Sequence, residues 1–399
     1  MRKGKRKVAH REGRARPSGE IQGAVSFVAA LVSDRPHACD DWLATKGLNE
    51  VAVAWLSAQG LAPLAFYRLR AVGLLTRLSI EAQATLRGAY YLTAGDTELH
   101  LHELAQVLRV LAAARMTPIL FKGAVLAYIA YPDPACRPMG DLDLWVTADE
   151  MPLAQVSLEN LGYAEYTKAE RPIAFQRQRS GELQLVGQHP GSGLVELHWG
   201  VFAGEWLERT ADVDEAGIRA RAIPVTLLSQ PALTLAPEDA IIQLAVHLAV
   251  NHQFSYPWVR GLVDVVLLAQ AQAVDWGVVA ERAHAWRVGT ATWLVLYLAA
   301  DLLGMDEAAL AVKHLVPSSL RRRLLSLFAD RASLLAMRDL TRGPQRFLLQ
   351  LLLVDRARDA ARLVWRALWP EKQWLAARYG AATPAVRTRH LLAALRGRV

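Results

Sequence analysis

The run DLDLWV at residues 141 to 146 constrains the fold more than any other part of the chain. Acidic and apolar residues alternate there, and a period of two belongs to a β-strand, whose successive side chains point to opposite faces. Asp141 and Asp143 therefore project together, while Leu142, Leu144 and Val146 occupy the other face. Two carboxylates held so close raise one another's pKa unless a cation lies between them. A solvated edge strand is the plain setting for such a pair. A divalent metal is the sharper one, and Mg²⁺ is the hard, oxygen-preferring ion that also accompanies phosphates, with Mn²⁺ its alternative.

The surroundings favour the sharper setting. Residues 116 to 123, MTPILFKG, form a short apolar run that ends in Lys122 and Gly123 and is followed by the helical AVLAYIAY, which reads as strand, tight turn, helix. The first N–H groups of such a helix, at the positive end of its dipole, suit a phosphate. Beyond DLDLWV come a helix near 149 to 161, a strand-like YAEY, and two strand candidates in ELQLVGQ and LVELHWGVF, separated by the turn HPGSG. The second of these carries Glu196 between Val195 and Leu197, where a carboxylate without a partner would be costly.

Residues 116–203 thus read as one small α/β unit between helical regions, an α+β organisation. From 21 to 115 apolar residues recur at helical spacing, with the Asp40 and Asp41 pair and Gly60 as start and stop signals for helices between 41 and 59. From 204 to 399 the chain reads as helix again, and PEDAIIQLAVHLAVNH places Pro at the first helical position and acids in the first turn.

With 53% apolar and 21% charged residues, most of the chain has the composition of a globular protein. The net charge of +8 invites a nucleic-acid reading, yet residues 1 to 16 hold eight basic residues against Glu12, which accounts for +7 of it. The basic character therefore describes a flexible tail, residues 1–20, able to touch RNA, DNA or acidic lipid, and says little about the folded body. IQGAVSFVAALVS only loosely imitates a targeting peptide, and the charge-free stretch 240 to 259 contains His247, Asn251, His252, Gln253 and Pro257, which argue against a membrane span. Two distant cysteines, Cys39 and Cys136, suggest neither a disulfide framework nor a zinc site, so the expected setting is the reducing cytoplasm.

Strand, Gly turn, helix, acid-pair strand and a later strand with a single acid resemble the nucleotidyltransferase superfamily of DNA polymerase beta. More narrowly, LFKGAVLAYIAYPDPACRPMGDLDLWV with LVELHWGVF is similar to the bacterial nucleotidyltransferase-like family with a KG turn, an Arg before the acid pair and an ELHW strand. Abortive-infection toxin nucleotidyltransferases have a similar layout. The resemblance is tight over 116–203 and looser through HLAVNHQFSYPWVRGLVDVVLLA to the terminal WPEKQWLAARYG. It implies a minimal nucleotidyltransferase core, with NTP as substrate and two-metal transfer of NMP to a hydroxyl on a small molecule, a protein or an RNA end. It assigns Asp141, Asp143 and Glu196 as catalytic residues and metal ligands. Lys122, Gly123 and Ala124 fall at the phosphate turn, and the resemblance implies that Lys122 or Arg137 neutralises charge growing on the leaving group. The superfamily's Gly-Ser hydroxyl is replaced by Ala124, which speaks for the alternative of a non-catalytic nucleotide-binding or regulatory module.

For Arg137 a phosphate contact stands beside a salt bridge that holds its loop to Asp141 or Asp143. His198 shares the face of Glu196 and either orients the carboxylate, touches the base or packs in the core. His247, His252 and Asp264 fall on successive helices that can close over the site, at a spacing that matches no zinc motif. Tyr128 and Tyr131 share a helix face and read as packing. Between Phe347 and Leu368 apolar residues at helical spacing alternate with Arg356, Arg358, Arg362 and Arg366; this suits domain packing, or an RNA or membrane surface.

Overall fold

The structure, a computed structural model, describes residues 19–35, 37–166, 181–189, 192–255, 257–328 and 344–395, so nearly all of the basic tail lies outside it. Among the described residues, seven strands make one mixed sheet: β1 (Ile119–Leu120), β2 (Asp141–Trp145), β3 (Tyr163–Glu165), β4 (Glu182–Gly187), β5 (Leu194–His198), β6 (Ile223–Leu227) and β7 (Gln230–Thr234). Their order is β3-β4-β5-β2-β1-β7-β6. The apolar halves of the alternating strands, Leu142, Leu144, Val195, Leu197 and Leu185, pack with Leu104, Leu108 and Leu111 of helix Ile80–Ala113 and with Ala154 and Leu158 of helix Met151–Asn160. That covers one face of the sheet. The polar halves are left on the other face, toward the helices after residue 236.

The expectation of helix from 204 onward needs correcting. Residues 223–234 form a β-hairpin whose second strand, β7, pairs parallel to β1 and so completes the sheet. Its two-residue loop, Leu228 and Ser229, has φ of 51° and 61°, the geometry of a type I′ turn. That turn favours Asn-Gly, and a Leu-Ser pair gives no such signal.

The helical regions on either side of the sheet share one core. A continuous apolar cluster runs from Phe27 and Val28 through Leu56, Leu64 and Phe66 to Ile241, Val263, Leu267, Leu296 and Leu349. The start signals there are partly as expected. Asp40 and Asp41 lie in the first turn of helix Ala38–Thr45 rather than at its cap, and helix Glu50–Ala58 is capped by Asn49, which accepts from the Ala52 N–H. Gly60, at φ +67°, ends it. No helix among the described residues is long and apolar enough to cross a membrane.

Candidate functional site

Strand register assembles the site. β2 and β5 run parallel with Asp143 opposite Glu196, and β4 and β5 run antiparallel with Gln184 opposite Glu196 and Glu182 opposite His198. Because side chains alternate, Asp141, Asp143, Glu196, His198, Glu182 and Gln184 form one polar patch across three adjacent strands. All six line a cavity of about 470 Å³, whose opposite wall includes Gln243, His247, Asn251, His252 and Arg260. A space of this size suits one small ligand such as a nucleotide.

Asp143 is the hub. It is 2% exposed, and its Oδ1 accepts from Lys122 Nζ at 2.6 Å and lies 3.0 Å from His198 Nε2. Burial alone would raise its carboxyl, but Lys122 and His198 outweigh burial and hold it well below the ordinary carboxylate range. Glu196 goes the other way. Burial first, then Glu182 and Asp143, push it up to about 8, despite the opposing pull of Lys122. Asp141 is also raised, by burial and by Asp143. Gln184 Nε2 donates to Glu196 Oε1 at 2.6 Å, and the other carboxylate oxygen lies 3.7 Å from His198 Nε2.

These oxygens and the imidazole fit a divalent cation. One ligand atom each from Asp143, Glu196 and His198 lies within 4.8 Å of the others. Two ligands at right angles on an ion about 2.1 Å away are about 3 Å apart, the scale of the 3.0 and 3.7 Å separations here. His198 Nδ1 is buried with no hydrogen-bond partner among the described residues. The patch also gathers more carboxylate than Lys122 balances, which adds to burial in raising the Glu196 carboxyl. Two carboxylates suit Mg²⁺, and the imidazole moves the preference toward Mn²⁺. Asp141, expected as a ligand, stands two residues along β2 at the same cavity, outside that three-residue group; His198, expected at the nucleotide, stands inside it.

Lys122 and Gly123 line the cavity. Lys122 has φ 56° and ψ −128°, a conformation that costs about 1–3 kcal/mol in a non-glycine residue and that aims its chain at Asp143. Gly123 starts a helix of seven residues, Gly123–Ile129, and a Cβ there would come within 3.1 Å of Arg137 Nη1. Ala124 packs in the apolar cluster and is not part of the cavity wall.

Arg137 lines the cavity too, but its salt bridge is with neither Asp141 nor Asp143. Its Nε and Nη2 donate to the two oxygens of Asp264 at 2.8 Å each, and the Tyr131 hydroxyl donates to the same Asp264 at 2.7 Å. This buried fork ties the loop before β2 to helix Trp258–Ala271, and gives Tyr131 a polar role beyond packing. His247 and His252 sit side by side, Nε2 to Nε2 at 2.8 Å, because residues His247–Asn251 form a π-helical turn at the end of helix Pro237–Val246. Desolvation, followed by the charge of Lys122, lowers both imidazoles.

The sequence reading missed Glu182, Gln184 and Arg260. For the first two a signal existed: in ELQL the polar residues alternate as they do in DLDL. For Arg260 there was none.

Residues 49–304 match the family model described as an uncharacterised nucleotidyltransferase, and the chain belongs to that family. A search of curated proteins finds no match. Among solved structures, the chain is similar to an antigenic nucleotidyltransferase-like protein from Paracoccidioides brasiliensis, at 14% identity, over 55% of this chain and 95% of that one, with a TM-score of 0.36.

Proposed function

We propose that the protein is a Mg²⁺-dependent nucleotidyltransferase that moves NMP from an NTP to a hydroxyl acceptor. The observation that carries this reading is the register that sets Asp143 beside Glu196, with His198 against both, in a cavity of nucleotide size. A divalent ion held by Asp143, Glu196 and His198, with Asp141 alongside, would supply Lewis-acid polarisation of the α-phosphate and activation of the acceptor hydroxyl.

The chain's own residues supply the remaining work. Glu196, once ionised, takes the proton of the acceptor hydroxyl as its oxygen bonds to the α-phosphorus and the bond to the β-phosphate breaks, releasing pyrophosphate with its electron pair. Gln184 fixes one oxygen of Glu196 and so orients the other. Lys122 keeps Asp143 ionised and lines the cavity in which charge would grow on the leaving group. Gly123 leaves room for a ligand beside Arg137. The acceptor belongs to one of three classes: small molecule, protein or RNA end.

A second reading, a nucleotide-binding or regulatory module, draws on Ala124 in place of a phosphate-binding hydroxyl and on the saturation of Asp143 by Lys122 and His198. One assay separates the two. The purified protein and an Asp141→Ala/Asp143→Ala variant are incubated with each α-labelled NTP, Mg²⁺ or Mn²⁺, and a cell lysate containing RNA. Label that enters an acceptor only with the wild-type protein supports transfer and identifies the acceptor class. Nucleotide binding without acid-dependent label supports the module.

A further inference from the structure

Among the described residues, one cation at the cavity makes no direct ion pair. The strongly basic side chains lining it, among the described residues, are Lys122, Arg137 and Arg260. Lys122 is committed to Asp143 and Arg137 to Asp264. Arg260 makes no ion pair with any described residue. It is nevertheless half-buried, and burial, followed by the charge of Arg137, pulls its pKa below the usual arginine value, against the weaker attraction of Asp264, Tyr131 and Asp141. An arginine does not give up its proton in a protein, so a bound anion would relieve what remains of that cost. Arg260 is also the third residue of helix Trp258–Ala271, where the helix dipole disfavours a cation.

The N-terminal helical region holds this guanidinium in place. Gly60, in the left-handed conformation that ends helix Glu50–Ala58, lies so close that a Cβ on it would sit 2.9 Å from Arg260 Nη1. The adjoining Gln59 side chain accepts from the Val259 N–H at 3.1 Å, which ties the same turn to the residue before Arg260. The neutral His247 and His252 on the same wall add hydrogen-bonding nitrogens without charge.

We propose that Arg260 anchors the polyphosphate of the nucleotide, holding its non-transferred phosphates from the helical wall opposite the carboxylates of β2 and β5. The planar fork of a guanidinium matches phosphate oxygens in pairs. A cavity of about 470 Å³ admits a nucleotide rather than a strand of nucleic acid, which favours the triphosphate over an RNA backbone as the source of the anion. This inference rests on the reading of the cavity as an NTP site, and its test is separable from that reading.

Binding of inorganic tripolyphosphate, of each NTP, of adenosine and of a short single-stranded RNA is measured by calorimetry on the full chain and on Arg260→Gln and Arg260→Lys, with thermal unfolding as the check on folding. The expected result is a loss of tenfold or more for tripolyphosphate and for the bound NTP in Arg260→Gln, a smaller loss in Arg260→Lys, and unchanged adenosine binding. Tripolyphosphate affinity within twofold of wild type in a folded Arg260→Gln overturns the proposal. So does a wild-type protein that binds no tripolyphosphate, or a loss confined to RNA. If the tripolyphosphate result is as expected but no label is transferred in the assay above, the anion site stands and the transferase reading falls.

Discussion

Asp143 shows how much one buried residue can organise. Replacing it by Ala leaves Lys122 and His198 buried without their partner, and breaking such a pair costs about 3–5 kcal/mol. Urea unfolding of Asp143→Ala should show a loss of that order, and a loss below about 1 kcal/mol would mean that the ion pair is not formed. Glu196 yields a prediction of opposite character. Its raised pKa means that the folded protein binds a proton there which the unfolded chain releases near pH 4.5. Stability therefore contains a term present below pH 4.5 and lost as pH rises toward about 8. Glu196→Gln should overtake the wild type in Tm across that window, and saturating Mn²⁺ should close the gap by favouring the ionised form; a gap independent of pH would contradict this account. Asp141, Asp143 and Glu196 were legible in the sequence because strand alternation displays them. The partner of Arg137 was not, since Asp264 lies 127 residues away and only packing joins them.

Among the elements, hairpin 223–234 and the π-turn at His247–Asn251 escaped the sequence reading for related reasons. Each depends on backbone geometry that its residues do not announce. Leu228 and Ser229 adopt positive φ, and Leu228 is largely outside the core. Leu228→Asn with Ser229→Gly should therefore stabilise the protein by about 1 kcal/mol, through removal of left-handed strain. A shift of the urea midpoint to higher concentration at unchanged slope is the expected readout, and a lower midpoint would show that Leu228 contributes packing that outweighs strain. By contrast β2, β4 and β5 were legible, since each alternates and each is bounded by turn residues.

The whole molecule is more integrated than a division at 115 and 203 implies. The helices before the sheet share one apolar cluster with those after it, and Gln59 and Gly60 reach Val259 and Arg260 across that boundary. A fragment of residues 116–203 lacks β6 and β7 as well as most of that cluster. It should give the poorly dispersed NMR spectrum of an unfolded chain, and a dispersed one would mean that the α/β unit folds alone. The central claim is that the buried carboxylates and His198 await a divalent cation, and Mn²⁺ titration followed by paramagnetic resonance tests it most directly. The account predicts one Mn²⁺ bound per chain at pH 7, with release of about one proton as Glu196 ionises, and no binding in Asp143→Asn or Glu196→Gln. A wild-type protein that leaves Mn²⁺ free, or variants that bind it as tightly, would contradict the account.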